Sequence, residues 1–137
     1  DYDKLRYFAY GPLESYIDKR QASLLGWHVD TVEAQYAHPL RPQESGSHYG
    51  ARSLTLHGAQ GALRIEGAGF GFSALNYSQE QLADVAHDDE LSCEDRCVLC
   101  LDMAQRGIGS NSCGPKLLEC YEIPEHIHWQ VMIDPLA

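Results

Sequence analysis

At 137 residues the chain has the length of one domain, and a composition of 44% hydrophobic and 22% charged residues excludes a disordered or low-complexity polypeptide. Ten Lys and Arg against twenty Asp and Glu give a formal charge of −10, which opposes nucleic acid and anionic lipid as partners. No apolar run approaches the roughly 18 residues that a membrane-spanning helix needs.

Taken in order, residues 4–10, 26–32, 52–57, 63–66, 70–75, 97–103, 118–122 and 127–133 have strand character. In residues 52–57 Arg52, Leu54 and Leu56 alternate with Ser53, Thr55 and His57. In the last strand Ile127, Trp129, Val131 and Ile133 are expected to face a core while His126, His128, Gln130 and Met132 face away. One helix is predicted after Ser78, which with Gln81 makes a capping box followed by Leu82, Val85 and Ala86. Two loops are long, residues 39–50 and the acidic residues 88–95. Short strands at this spacing predict an all-β sandwich with one short helix, residues 1–137 forming a single unit. No start methionine, charged n-region or apolar h-region precedes Asp1, so the chain is expected to be cut from a longer polypeptide. The five cysteines, Cys93, Cys97, Cys100, Cys113 and Cys120, are odd in number and confined to the last third. That pattern suits a reducing cytoplasm better than a disulfide framework.

Residues 107–115 are the distinctive segment. Gly107, Gly109 and Gly114 with Pro115 allow close backbone approach, and Ser110, Asn111 and Ser112 offer the hydroxyl and amide groups that sugars satisfy. Spacing alone makes this a surface turn. Cys93, Cys97 and Cys100 match the C-x3-C-x2-C spacing of a four-iron cluster, but Cys97 and Cys100 fall in a strand and point to opposite faces, so core packing is the expected role. A zinc site from Cys97, Cys100, Cys113 and His126 or His128 has suitable ligand types, with His126-x-His128 as its second close pair, but that pair sits on the polar face of an expected strand, where a solvated role is the commoner one. Glu14 with Asp18, and Asp88 with Asp89 and Glu90, are candidate carboxylates for glycoside chemistry, although the mixed charges around Glu14 and Asp18 favour ion pairs and turn hydrogen bonds and the acidic loop is expected to be solvated. No phosphate-binding glycine loop and no G-x-S-x-G nucleophile motif occur.

Five motifs follow one another in order. They are Tyr10-Gly11-Pro12-x-Glu14-x-Tyr16-x-Asp18-x-Arg20, Tyr36-x-x-Pro39-x-x-Pro42-Gln43-Glu44-x-Gly46, Gly50-x-Arg52, Phe72-x-x-x-x-Tyr77-Ser78-x-x-x-Leu82, and Leu101-Asp102-x-x-Gln105-x-Gly107-Ile108-Gly109. The series, running to about Trp129, resembles the C-terminal domain, or small chain, of the beta-galactosidases of glycoside hydrolase family 2. The resemblance implies the latter part of an antiparallel supersandwich, like that of galactose mutarotase, packed against a catalytic (β/α)8 barrel or large subunit in an oligomeric enzyme. It places the catalytic glutamates, magnesium and sodium on the barrel, so no catalytic residue, metal or cofactor is expected in this chain.

What the resemblance assigns to the domain is a loop over the rim of the galactoside pocket, mapping to residues 107–115. Candidate substrate-binding residues are therefore Gly109, Ser110, Asn111, Ser112 and Cys113. Many relatives carry a tryptophan where Cys113 stands; this chain resembles the branch with Ser-Asn-Ser-Cys-Gly-Pro. A thiol lacks the stacking area of an indole. Two rival readings remain at this stage. An independent carbohydrate-binding module would need an exposed aromatic platform, for which Trp27 and Trp129 are the tryptophans available, and a metal or cluster protein would use Cys93, Cys97 and Cys100.

Overall fold

The computed structural model describes residues 2–108 and 114–136. Six strands form one antiparallel sheet: β1 (Tyr2–Gly11), β2 (Leu24–Thr31), β3 (His48–Gly58), β4 (Gly61–Leu75), β5 (Val98–Asp102) and β6 (Val131–Leu136). The order is β2-β1-β3-β4-β5, and β6 also pairs with β4. The 15-residue β4 makes this possible. Its first part pairs with β6, from Ala62 opposite Leu136 to Gly67 opposite Val131, and its second with β5, from Gly71 opposite Asp102 to Leu75 opposite Val98. The chain is thus all-β with one short helix, α1 (Gln79–Asp84), as expected.

Alternation decides which face is buried. Leu5, Tyr7 and Ala9 of β1 meet Leu54 and Leu56 of β3 and Ile65, Phe70, Phe72 and Ala74 of β4 in one core, with Trp129 and Val131 packed against it. Burying aliphatic side chains such as Leu5 and Ile65 stabilises the fold by about 1.5–3 kcal/mol each. Ile65 and Phe70 have opposite parity yet share that core, because the register slips between Ser53 opposite Glu66 and Ala51 opposite Phe70. The extra β4 residues include Gly69 at φ +118°, and the bulge resets the side-chain phase. A second slip lies between Ala51 and His48, where Gly50 has φ +69°. It turns His48 inward as well, 1% exposed.

Most expected strands are present, with two corrections. Residues 118–122 are not a strand: Glu119–Tyr121 is a single 3₁₀ turn. Its bonds run locally from Tyr121 N–H to Leu118 O at 2.9 Å and from Glu122 N–H to Glu119 O at 3.2 Å. The last strand starts at Val131 rather than residue 127, and Ile127 is 38% and Ile133 55% exposed, so of the four expected core residues Trp129 and Val131 reach the core. The segments 63–66 and 70–75 are one strand carried through the bulge. The capping box forms as expected, Ser78 Oγ accepting from Gln81 N–H at 3.2 Å and Gln81 Oε1 from Ser78 N–H at 2.9 Å. Leu82 seals a satellite cluster with Tyr36 and Leu75. Helix α1 ends at Asp84, leaving Val85 as its cap and Ala86 outside it.

Candidate functional site

The expected substrate-binding residues Gly109, Ser110, Asn111, Ser112 and Cys113 lie outside the described residues. Their flanks are described, and those flanks are held by residues far away in sequence. The chain leaves β1 through a cis Gly11-Pro12 bond and folds into a tight turn closed by Tyr16 N–H to Lys19 O at 2.9 Å and Lys19 N–H to Tyr16 O at 3.1 Å. Asp18 sits at the tip of that turn, and its Oδ1 accepts a hydrogen bond from Ile108 N–H at 3.0 Å. Gly107, one residue earlier, has φ +82°, and a Cβ there would overlap the Asp18 carboxylate. Only glycine fits both the left-handed conformation and this approach.

Two further ties hold the same stretch. Gln105 Nε2 donates to Ser47 Oγ at 2.9 Å and to Asp102 Oδ2 at 3.0 Å. Arg106 reaches across to Glu122, with Nη2 to Oε2 at 3.0 Å, which links the two flanks of residues 109–113. Leu117 on the far flank is buried. Beneath the stretch lies a cleft of about 220 Å³ whose lining includes Tyr16, Glu44, Asp102, Gln105 and Gly107. Burial, and after it the charge of Asp102, push the Glu44 carboxyl above the usual carboxylate range.

Glu14 and Asp18, weighed above as a catalytic pair, both serve as anchors. Glu14 Oε2 accepts from Gly46 N–H at 3.0 Å and Glu14 Oε1 pairs with Lys19 Nζ. Burial alone would raise its pKa, but the hydrogen bonds from Lys19 and Gly46 and the Lys19 charge outweigh it and hold the carboxyl below its ordinary range. Ser15, fully buried, donates from Oγ to Tyr10 O at 3.0 Å and accepts from Tyr49 N–H at 2.9 Å. Sequence reasoning named Glu14 and Asp18 but missed Ser15, Ser47 and His48 as members of the corner; a small polar pair flanking a buried histidine before a strand was the available signal. His48 Nδ1 lies 3.1 Å from Tyr10 O, and Nε2 lies 2.6 Å from Gln35 Oε1. Burial dominates and lowers its pKa to about 4, against the Tyr10 carbonyl, which favours the protonated ring.

The cysteines are spread rather than gathered. Cys93 and Cys120 are exposed free thiols and Cys97 and Cys100 half-buried ones. Burial pushes the Cys97 thiol up to about 11 and raises Cys100 as well. Among the described residues no group of three His, Cys, Asp or Glu side chains is placed to hold a metal ion, and His126 and His128 are exposed outside any strand. Trp27 is 51% exposed, but the Arg6 guanidinium lies 3.9 Å from its ring centre and Phe8 meets its edge at 5.5 Å. Among the described residues no helix is long and apolar enough to cross a membrane.

The described residues thus form a sandwich-type sheet that ties Gln105, Arg106 and Ile108 to Ser47, Glu122 and Asp18. The family model described as beta galactosidase small chain matches residues 1–133, and the chain belongs to that family. It is 39% identical over 121 residues to a beta-galactosidase of Actinobacillus pleuropneumoniae, which covers 88% of this chain and 12% of that protein. Against a beta-galactosidase of Staphylococcus xylosus it is 37% identical over 89% of the chain and 12% of the relative. With the beta-galactosidase BgaC of Bifidobacterium adolescentis it is 35% identical over 100% of the chain and 13% of the relative. The chain therefore spans about one-eighth of the length of the curated relatives it matches.

Proposed function

We propose that this chain is the non-catalytic C-terminal domain of a beta-galactosidase that hydrolyses terminal β-D-galactosides such as lactose. In this reading residues Gly109, Ser110, Asn111, Ser112 and Cys113 line the rim of a galactoside pocket whose acid and nucleophile belong to a catalytic barrel. The observation that carries the reading is the set of ties at the flanks of that segment: Asp18 to Ile108, Gln105 to Ser47 and Arg106 to Glu122. Side chains 90 and 58 residues away immobilise the entry to it, an investment in ordering that a plain surface turn does not need. Serine and asparagine side chains supply the donors and acceptors a sugar hydroxyl requires.

Packing against the remainder of the enzyme is the domain's second task. The outward face of the edge strand β2 exposes Val29 (75%), Trp27 (51%) and Leu25 (42%), an apolar strip of the kind that marks an interface. Arg6 over Trp27 leaves little open ring for a sugar, which favours a packing surface over an independent carbohydrate-binding platform. Magnesium and sodium belong to the barrel in this reading; the oligomer is that of the whole enzyme, and its free thiols fit a cytoplasmic setting.

The test is complementation. Nitrophenyl galactoside hydrolysis is assayed with this chain alone, with the remaining polypeptide of its parent enzyme alone, and with the two mixed, each shown to be folded by circular dichroism. Activity restricted to the mixture is the expected result. Activity of this chain alone, or none in a mixture of folded parts, would overturn the proposal.

A further inference from the structure

We propose that the outward face of β1 and β2 is a docking surface for an acidic polypeptide segment, bound by arginines that the sheet's own aromatic rings hold flat. That the segment belongs to the remaining polypeptide of the parent enzyme rests on the packing reading above; the chemistry of the face does not.

Register places the parts. Lys4, Arg6, Phe8 and Tyr10 alternate with the core residues Leu5, Tyr7 and Ala9, and so stand on the opposite face. Val29 lies opposite Arg6, Trp27 opposite Phe8 and Leu25 opposite Tyr10. The guanidinium carbon of Arg6 sits 3.9 Å from the Trp27 ring centre, and that of Arg52 5.9 Å from the Phe8 ring centre. Arg20 comes in from the turn after β1, 5.4 Å from the Tyr10 ring centre and 5.0 Å from that of Tyr49. Cations and rings thus interleave along β1.

Among the described residues Lys19, Arg64, Arg96 and Arg106 each have a carboxylate partner, and Lys4, Arg6, Arg20 and Arg52 have none. A chain with twenty acidic side chains leaves these cations unpaired on one face. Stacking on a ring fixes the guanidinium plane and leaves its N–H edge free. An arriving carboxylate then meets a donor fork that has already given up much of its rotamer freedom and can be held by two parallel bonds. On the β4 side the patch ends at Glu66 and at Asp134, which already holds Arg64 at 2.9 Å.

Size and sign select the occupant. A nucleic acid or an anionic bilayer is broad and would lie against the acidic remainder of a chain of formal charge −10. A short acidic segment meets the patch alone, within the roughly 8 Å over which charge is felt at physiological salt. Val29 and Leu25, beside the arginines, call for apolar residues between its carboxylates.

The probe is a fluorescently labelled peptide of sequence Glu-Leu-Glu-Leu-Glu, and its binding to this chain is followed by anisotropy at physiological ionic strength. Comparison ligands are Gln-Leu-Gln-Leu-Gln, oligothymidylate and phosphatidylserine vesicles. The variants are R6Q/R52Q, R6K/R52K and, for the same change of net charge outside the strands, R96Q/K116Q. Each is shown to be folded by circular dichroism and is also titrated with the remaining polypeptide of the parent enzyme. Expected are saturable binding of the glutamate peptide, a tenfold loss with the glutamine peptide and in R6Q/R52Q, a threefold or greater loss in R6K/R52K, and R96Q/K116Q within twofold of the unsubstituted chain. Undiminished binding by R6Q/R52Q, or an equal loss in R96Q/K116Q, overturns the proposal. Undiminished binding by R6K/R52K overturns it too, since charge without a ring-held fork would then suffice, as does oligothymidylate or vesicle binding as tight as that of the glutamate peptide. A tenfold loss in R6Q/R52Q for the glutamate peptide, with none for the remaining polypeptide, upholds the docking chemistry and sinks the packing reading as its source.

Discussion

Glu14 and Gly46 are joined by a hydrogen bond of 3.0 Å from the Gly46 N–H to the Glu14 carboxylate, which ties the exit of β1 to the segment entering β3 across 32 residues. Replacing Glu14 by alanine leaves that N–H without its acceptor. A stability loss of about 1–3 kcal/mol is expected in urea unfolding of the chain, with glutamine recovering part of it. The Lys19 pairing adds little, since Lys19 is half in solvent. A loss below about 0.5 kcal/mol would show that water replaces the carboxylate.

Gly46 itself offers a sharper contrast. It has φ +69°, and a Cβ would overlap the backbone oxygen of Gln35, so Gly46→Ala is expected to cost several kcal/mol, on the order of 3 or more. Gly26 in the edge strand has nothing within 4 Å of an added Cβ. Gly26→Ala is expected to be neutral or stabilising by up to about 1 kcal/mol. Denaturation midpoints of the two variants check both signs.

His48 predicts acid sensitivity. Its pKa falls from 6.5 to about 4 on folding because burial penalises the charged ring, so below 6.5 the unfolded chain takes up a proton that the folded one refuses. Stability is therefore retained above about pH 6.5 and lost as pH falls toward 4, by roughly 3 kcal/mol in all. Glu14, held low, adds its own loss at still lower pH. His48→Gln is expected to be less stable at pH 7 but flatter between pH 6.5 and 4. Unfolding midpoints across that range decide the matter, and an equally steep slope in the variant would assign the sensitivity to another group.

The β2 strip leads to a prediction about assembly. Leu25 and Val29 share its outward face and are 42% and 75% exposed, so lysine at both positions should leave the fold of the chain intact. Complementation of the remaining enzyme should weaken tenfold or more, as buried charge at an interface does. Trp27 emission should shift to the blue on mixing with that partner, and no shift would place the contact elsewhere.

Thiol chemistry separates the cysteines. With Cys97 pushed up to about 11 from 9.0, its thiolate fraction near neutral pH falls about a hundredfold. Iodoacetamide should label exposed Cys93 and Cys120 first, and Cys97 more slowly by about two orders of magnitude. Comparable rates would mean that the edge at β5 opens readily.

How much of this was legible in the sequence depends on the range of each interaction. Alternation in residues 4–10 and 52–57 reports burial directly, because a strand's side chains change face every residue. The capping box at Ser78 and Gln81 is likewise a local pattern and formed as written. Residues 118–122 misled because apolar content alone does not supply a neighbouring strand; the chain closed local 3₁₀ bonds instead.

The sequence by itself determined the class of the fold, the helix after Ser78 and the membership that its ordered motifs announce. Only the tertiary structure decided that Asp18 faces Ile108, that Gln105 reaches Ser47 and that two bulges bring Ile65, Phe70 and His48 to one face. The two bonds join residues 90 and 58 apart in sequence, and the register slips lie between β3 and β4. Such contacts leave no period in the chain, because their partners are chosen by where the sheet places them and not by spacing along it.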